Sequence, residues 1–213
     1  NRIIPDGIFI THAHSGHYTG LLELGREVMN TMNLPVYVMP KMKLFLERND
    51  PWKQLIKQGN INLIQMEAGL EISLNRELSI SPFLVPHRSE ISETIGFKIK
   101  GKNSSIIYIP DIDSWEEWEI DIDKLIEDND ILFIDGTFYH EEELKGRDIN
   151  EIPHPRIKDS MRILEGLDSS NRSKVYFTHL NHTNNALRDY TYEYKNIIDN
   201  GFMIATEGLK FQL

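Results

Sequence analysis

The sequence predicts a mixed α/β domain whose strands and helices do not alternate strictly. Three observations lead there. Short β-branched and aromatic runs such as Gly7-Ile8-Phe9-Ile10-Thr11 and Ile131-Leu132-Phe133-Ile134 read as buried strands. Between such runs lie stretches with apolar residues at helical spacing, as in Thr19 to Met32. From Ile61 to Ile109, however, strand-like segments follow one another directly, which indicates an antiparallel or mixed sheet rather than a simple parallel one.

Taken in order, the strand at residues 7–11 delivers a polar loop. Leu21, Leu22, Leu24, Val28 and Met29 then give a helical stripe over Thr19 to Met32. Pro35 to Met39 reads as a strand, followed by helical stretches at Met42 to Glu47 and Pro51 to Gln58. The strand-rich block comprises Ile61 to Met66, Leu78 to Val85, Glu93 to Lys100 and Ser105 to Ile109. A helix is expected over Trp115 to Glu127, a buried strand at 131–134, a helix over Pro155 to Leu167 and a strand at Lys174 to Thr178. A last helix at Tyr192 to Asp199 precedes a closing hairpin formed by Met203 to Ala205 and Leu209 to Gln212. Trp115, Trp118 and the methionines read as core.

The chain of 213 residues has no internal repeat and no Gly/Ser linker, so a single domain over residues 1–213 is expected. Its net charge of −10 argues against a nucleic-acid partner, because nothing offsets phosphate repulsion. Ten carboxylates and one lysine fall between Asp111 and Asp130, a solvated acidic face apart from Asp111 itself. No apolar run approaches the roughly 20 residues that span a bilayer, so no membrane partner is expected. The opening Asn1-Arg2-Ile3-Ile4-Pro5 has no secretory pattern, although the lack of an initial Met leaves upstream processing open. The absence of cysteine favours a reducing, cytoplasmic location and removes thiolate from the ligands and nucleophiles available. The partner expected is a small-molecule substrate, with a homodimer left open.

Several strands end directly in polar residues: Thr11-His12, Pro86-His87, Pro110-Asp111, Asp135 and Thr178-His179. Sites at the ends of buried strands are common in α/β folds. The densest is "FITHAHSGHYTG", where His12, His14 and His17, three of the eight histidines, fall within six residues. His12 and His14, two apart, point the same way from an extended segment. Imidazoles converging from a loop on a rigid strand suit zinc, iron or manganese.

"THAHSGH" resembles the His-x-His-x-Asp-His signature of the metallo-β-lactamase fold superfamily, which implies an αββα sandwich. "VPHRSEISETIGFKI", "YIPDID", "LFIDGTFY" and "FTHLNHTN" extend the likeness, from Gly7 to Leu213, to the pyrroloquinoline quinone biosynthesis protein B group. The resemblance implies that His12, His14 and His87 hold one divalent metal and that Asp111 bridges to a second, with Asp113 a rival for that place. It also implies that the family's first strands, and the cysteine-rich zinc site of many members, are missing from this chain. Two departures weaken the second site: Gly16 stands where the signature has Asp, and Thr206 stands where the family's last metal-binding His is usual. One principal site is therefore expected, with a second weak or absent and served by His17, Asp111 and a histidine of "THLNH".

His179 and His182 share a face if their segment is helical. His179 is then the nearer to the metal, a ligand or proton carrier, and His182 an acid or substrate clamp; a capping or surface pair is the plain alternative. Asp135 reads either as a carboxylate accepting a hydrogen bond from a ligand imidazole or as a turn residue before Gly136. Arg88 can clamp an anionic substrate group or pair with Glu90 or Glu93. His154, between two prolines, lines the substrate pocket or sits in an exposed loop, the latter favoured; His140 reads as surface.

Zinc is expected first, with iron or manganese as alternatives. Three histidines with an open position describe metal-activated water, and thus a hydrolase of ester- or phosphodiester-like bonds. Asp111 with His179 or His182 would move the proton. Two histidines and one carboxylate, as in His12, His87 and Asp111, describe instead a mononuclear non-haem iron oxygenase or hydroxylase. A degenerate metal-binding protein without activity is the third reading.

Overall fold

Among the described residues the strands form two sheets, one of three strands and one of seven. The computed structural model describes residues 4–143, 146 and 152–213, so Asn1 to Ile3 of the opening stretch lie outside it. Its contacts divide into two compact units, Asn1–Leu70 with Arg88–Ile95, and Glu71–His87 with Gly96–Leu213.

In the first unit β1 (Ile8–Phe9), β2 (Leu34–Val38) and β3 (Ile61–Gln65) pair in parallel, in the order β1-β2-β3. Parallel neighbours need a crossover. The first crossover contains α1 (Ser15–Tyr18) and a 3₁₀ turn at Thr19–Leu24; the second contains α2 (Pro40–Arg48) and α3 (Trp52–Lys57). Pro40 opens α2 at a position where its missing N–H costs nothing. Val36, Val38, Met42, Leu46 and Ile61 close the core of this unit. Ile61–Gln65 thus belongs to a parallel sheet, not to the strand-rich block in which the sequence places it. The long helix expected over 19–32 also stops at Leu24. There the Thr31 amide and hydroxyl both return to the Leu24 carbonyl, each at 3.1 Å, and Asn30 is left-handed with φ 48°.

The second sheet runs β10-β9-β8-β7-β6-β5-β4. Its members are β4 (Ile72–Ser73), β5 (Ser79–Leu84), β6 (Ile95–Lys100), β7 (Ser105–Ile109), β8 (Ile131–Asp135), β9 (Val175–Thr178) and β10 (Met203–Ile204). Strands β7 to β10 are mutually parallel, whereas β6 is antiparallel to β7 and β4 to β5. The mixed sheet expected from the sequence is therefore present. Crossovers in the parallel half carry α4 (Ile122–Glu127), α5 (Ile157–Ile163), α6 (Ser169–Arg172) and α7 (Tyr192–Asp199). The predicted helix over 115–127 shortens to α4, because Asp121 caps it through the amides of Asp123 and Lys124. Residues 115–121 instead form turns, in which the Ser114 hydroxyl accepts from the Glu116 amide. The predicted closing hairpin does not form: β10 pairs in parallel with β9, and residues 209–212 are not a strand.

Register makes the core. Ile109, Ile134, Phe177 and Ile204 line up across four strands, and Ile107, Leu132 and Val175 form the row beside them. All belong to one buried cluster that takes in Ile126, Ile157, Ile197 and Phe202 from the crossover segments. In-register parallel strands also bring their C-terminal ends to one edge, so the residues after Ile109, at Asp135 and after Thr178 are neighbours. Gly136 is required at that edge, because a Cβ there would come within 2.9 Å of Phe177 Cβ and of the Thr178 carbonyl. Phe177 is fully buried at the centre of the longer row. Phe177→Ala is expected to lower unfolding free energy by about 3–5 kcal/mol, read as a lower urea midpoint.

Candidate metal centre

The first unit supplies the histidine loop. His12 and Ala13 are buried just beyond β1, and Ala13 N–H donates to Ser92 Oγ at 2.8 Å, which fixes the backbone between the two leading histidines. His12 Nδ1 lies 3.1 Å from Thr11 Oγ1, turning Nε2 toward His14 Nδ1 at 2.9 Å. The His17 ring sits 4.2 Å from that of His12, and His14 Nε2 is 3.5 Å from Glu90 Oε2. The loop thus gathers its three imidazoles as the spacing implied. Two ring nitrogens bound to one tetrahedral zinc stand about 3.3 Å apart for bonds of about 2.0–2.1 Å. The observed 2.9 Å is near that value, and this donor set fits a divalent cation.

The second unit supplies the strand ends. His87 follows β5 with a fully buried side chain, and its Nδ1 is 2.6 Å from Asp113 Oδ1. That contact directs Nε2 away from the carboxylate, the usual arrangement of a metal-binding histidine. Asp111, buried after β7, has its Oδ1 3.6 Å from His179 Nδ1 and 3.8 Å from His154 Nδ1. Asp111, Asp135 and His154 each offer a ligand atom, all within 4.8 Å of one another. The Asp135 carboxylate is already saturated by donors. Oδ1 accepts from Thr137 N–H at 2.9 Å and from Thr137 Oγ1 at 2.7 Å, while Oδ2 accepts from Ile112 N–H at 3.1 Å and faces His154 Nδ1 at 2.7 Å. It closes the turn before Gly136, as one of the two sequence readings had it, and the imidazole it holds is that of His154.

Burial works against protonation of His154, but the carboxylate of Asp135, with Asp111 and Asp113 behind it, outweighs burial and raises its pKa. Burial would raise Asp135, yet His154 and the Thr137 donors reverse that and lower it. His179 is lowered, by burial first, with Asp135 opposing and His154 adding to the effect.

The chain matches the beta-lactamase superfamily domain over residues 4–180. It belongs to that family. Coenzyme PQQ synthesis protein B from Methylococcus capsulatus is 25% identical over 230 residues, covering 97% of this chain and 73% of that protein. The chain spans 46% to 73% of the length of the curated relatives it matches. The structure of Zn²⁺-bound PqqB from Methylobacterium extorquens has a TM-score of 0.78 at 20% identity, over 97% of this chain and 71% of that one. A diphosphatase of the PhnP family has a TM-score of 0.67 at 22% identity, over 98% and 71%. The fold is the metallo-β-lactamase fold that the histidine signature implied.

Within this beta-lactamase superfamily chain some sequence expectations change. His154 is 6% exposed rather than an exposed loop residue, because Asp135 draws its ring inward. His179 and His182 do not share a helical face: residues 179–181 have no regular structure, and His182 is exposed. His179 instead takes the left-handed conformation, φ 59°, rare outside Gly, Asn and Asp. Arg88 is exposed in the first unit, where its charge is the smallest of the influences that lower the pKa of Glu90. His140 is only partly exposed, 3.8 Å from Glu193. Two functional candidates are new. Asp113, weighed only as a rival to Asp111, orients His87; Thr137 contacts Asp135, His154 and His179 through one hydroxyl. The turn sequence Asp135-Gly136-Thr137 was the one available signal for the latter.

The opposed shifts of Asp135 and His154 define a pH window in the metal-free protein. Asp135 contributes stability that is full above its ordinary 3.8 and lost as pH falls through its lowered native pKa. His154 contributes stability that is full below its ordinary 6.5 and lost as pH rises through its raised native pKa. The stability gap between the native protein and Asp135→Asn, measured by urea denaturation, should be widest between about pH 4 and pH 6.5. A gap that stays level from pH 3 to 9 would contradict a charged pair.

Proposed function

We propose that the chain is a metal-dependent hydrolase of an ester- or phosphodiester-like bond in a small molecule, related to coenzyme PQQ synthesis protein B. His12, His14 and His87, with Asp111, are the ligands proposed for one principal ion. His17, Asp111 and His179 would serve a second, weaker position. The observation that carries the reading is the 2.6 Å contact between His87 and Asp113: a buried imidazole oriented by a carboxylate, as ligand histidines are. When bound, such an ion supplies a water acidified to a pKa of about 7 as nucleophile. Asp111 and His179 would carry the proton, and the His154–Asp135 pair would present a donor to an anionic substrate. Zinc in the Methylobacterium extorquens relative supports zinc here, and the diphosphatase relative supports attack at phosphorus. The cysteine-free composition supports a cytoplasmic location, and among the described residues no helix is long and apolar enough to cross a membrane.

One observation favours a second reading, a mononuclear iron oxygenase. His87, oriented by Asp113, and the buried carboxylate of Asp111 both lie in the second unit, and with His12 they make the two-histidine, one-carboxylate set that suits iron and oxygen.

Metal analysis of protein purified without chelator, with a bis(p-nitrophenyl) phosphate assay, separates the two. Zinc near one per chain with turnover supports hydrolysis, whereas iron with oxygen uptake supports the second reading. A chain without metal overturns both. His12→Ala and His87→Ala should each abolish metal retention while far-ultraviolet circular dichroism stays near native. Asp113→Ala should weaken zinc about 10–100-fold in chelator competition. Gly16 has nothing within 4 Å of where its Cβ would lie, so Gly16→Asp restores the signature carboxylate without a clash. Calorimetric titration of Gly16→Asp should show tighter binding of a second ion than in the native chain.

A further inference from the structure

We propose that Thr137 fixes the tautomer of His179, so that the neutral ring carries its proton on Nδ1 and presents its lone pair at Nε2. Thr137 is thus a positioning residue, and the inference rests on the reading that His179 works at the site.

The argument is one of proton counting. Thr137 Oγ1 has one hydrogen and two lone pairs. It meets three groups: Asp135 Oδ1 at 2.7 Å, His179 Nδ1 at 3.0 Å and His154 Nδ1 at 3.3 Å. An ionised carboxylate can only accept. Two oxygens 2.7 Å apart repel unless a proton lies between them, and Asp135, whose oxygens also take the Thr137 and Ile112 amides and face His154 Nδ1, is placed as an acceptor and does not provide one. The single hydroxyl proton is therefore committed to Asp135. Toward both imidazoles the hydroxyl can only accept, and each Nδ1 must donate. His154 Nδ1–H points chiefly at Asp135 Oδ2, 2.7 Å away, and meets Thr137 more weakly. For His179 the hydroxyl is the nearer acceptor, since Asp111 Oδ1 stands at 3.6 Å.

Backbone contacts hold this arrangement in place. The Asn181 amide donates to the Thr137 carbonyl at 3.0 Å. The buried Asn184 Nδ2 donates to the carbonyls of Gly136 at 3.0 Å and Thr137 at 3.2 Å. They clamp the loop after β9, where the His179 backbone is left-handed, to the turn after β8. Free imidazole side chains favour the opposite tautomer, with the proton on Nε2, so the contact selects the minor form. The consequence is chemical: the lone pair of the neutral ring is at Nε2, while Nδ1 carries the proton and has none to offer.

The test is long-range ¹H–¹⁵N correlation spectroscopy of the full chain, ¹⁵N-labelled, treated with chelator and held at pH 8. His179→Gln identifies the signals of the ring. The expected native pattern is a protonated Nδ1 and a bare Nε2. Thr137→Val keeps the shape and removes the acceptor, and should move the ring toward the Nε2–H form; Thr137→Ser should keep the native pattern. A native ring protonated on Nε2 overturns the proposal whatever the variants do, as does a Thr137→Val spectrum identical to the native one. Should Thr137→Val fail to fold, the native and Thr137→Ser spectra decide. The readout uses neither metal nor turnover, so failure of the hydrolase reading and failure of the tautomer lock are separate results.

Discussion

A carboxylate sealed from water must be surrounded by donors, and the second unit is arranged around that requirement at Asp135. Leaving such a charge unpaired costs several kcal/mol even after relaxation. Its donors come from different parts of the chain: Ile112 after β7, Thr137 in the turn after β8, and His154 from the segment before α5. Satisfying one charge therefore pins three segments at once. Asp111 lies next to the first donor, and His179 touches the second, so the groups around Asp111 inherit their positions from this anion.

The apolar rows explain why the anion sits at that edge. Ile109, Ile134 and Phe177 are in register, so the chain leaves β7, β8 and β9 at the same level. A one-residue slip would turn the apolar set to the other face, which a buried sheet resists strongly. The dry rows thus fix the height of the strand ends, and the polar residues after them can differ without disturbing the core. Gly136 belongs to the rows rather than to the chemistry, because β8 and β9 approach too closely there for any side chain.

What the sequence discloses follows from distance along the chain. The histidine loop is legible because its three imidazoles lie within six residues and the spacing is itself the signal. Strand ends at His87, Asp111, Asp135 and His179 are legible because an apolar run ending in a polar residue marks the edge of a core. The pairing of His87 with Asp113 spans 26 residues and that of Thr137 with His179 spans 42, and no local pattern announces either. His154 is misread for the same reason: two flanking prolines describe a stiff loop, but the carboxylate that buries its ring is 19 residues away. The overlong helices fail differently. Apolar periodicity continues past Leu24, yet the Thr31 hydroxyl, shared between the carbonyls of Leu24 and Asn60, folds the chain back where periodicity alone would extend it. Before Ile122 the Trp115 indole reaches Ser160 Oγ and the Trp118 indole reaches the Leu84 carbonyl, contacts made from turns rather than from one helical face.

The His87–Asp113 and His154–Asp135 pairs of the second unit differ in a way that bears on their roles. Asp113 keeps 22% of its side chain exposed, so water carries part of its charge and the His87 ring need only donate one hydrogen bond. Asp135 has no exposure, and the His154 ring faces it at 2.7 Å. A ring anchored at Nδ1 offers a metal the lone pair of Nε2 only while it is neutral, and the carboxylates that face His154 favour its charged form. The same pairing therefore suits the ligand role proposed for His87 at the partly exposed carboxylate and a hydrogen-bond donor at the sealed one. That difference in solvation is why the proposed ligand set contains His87 and leaves out His154, although both rings lie within 5.5 Å of each other.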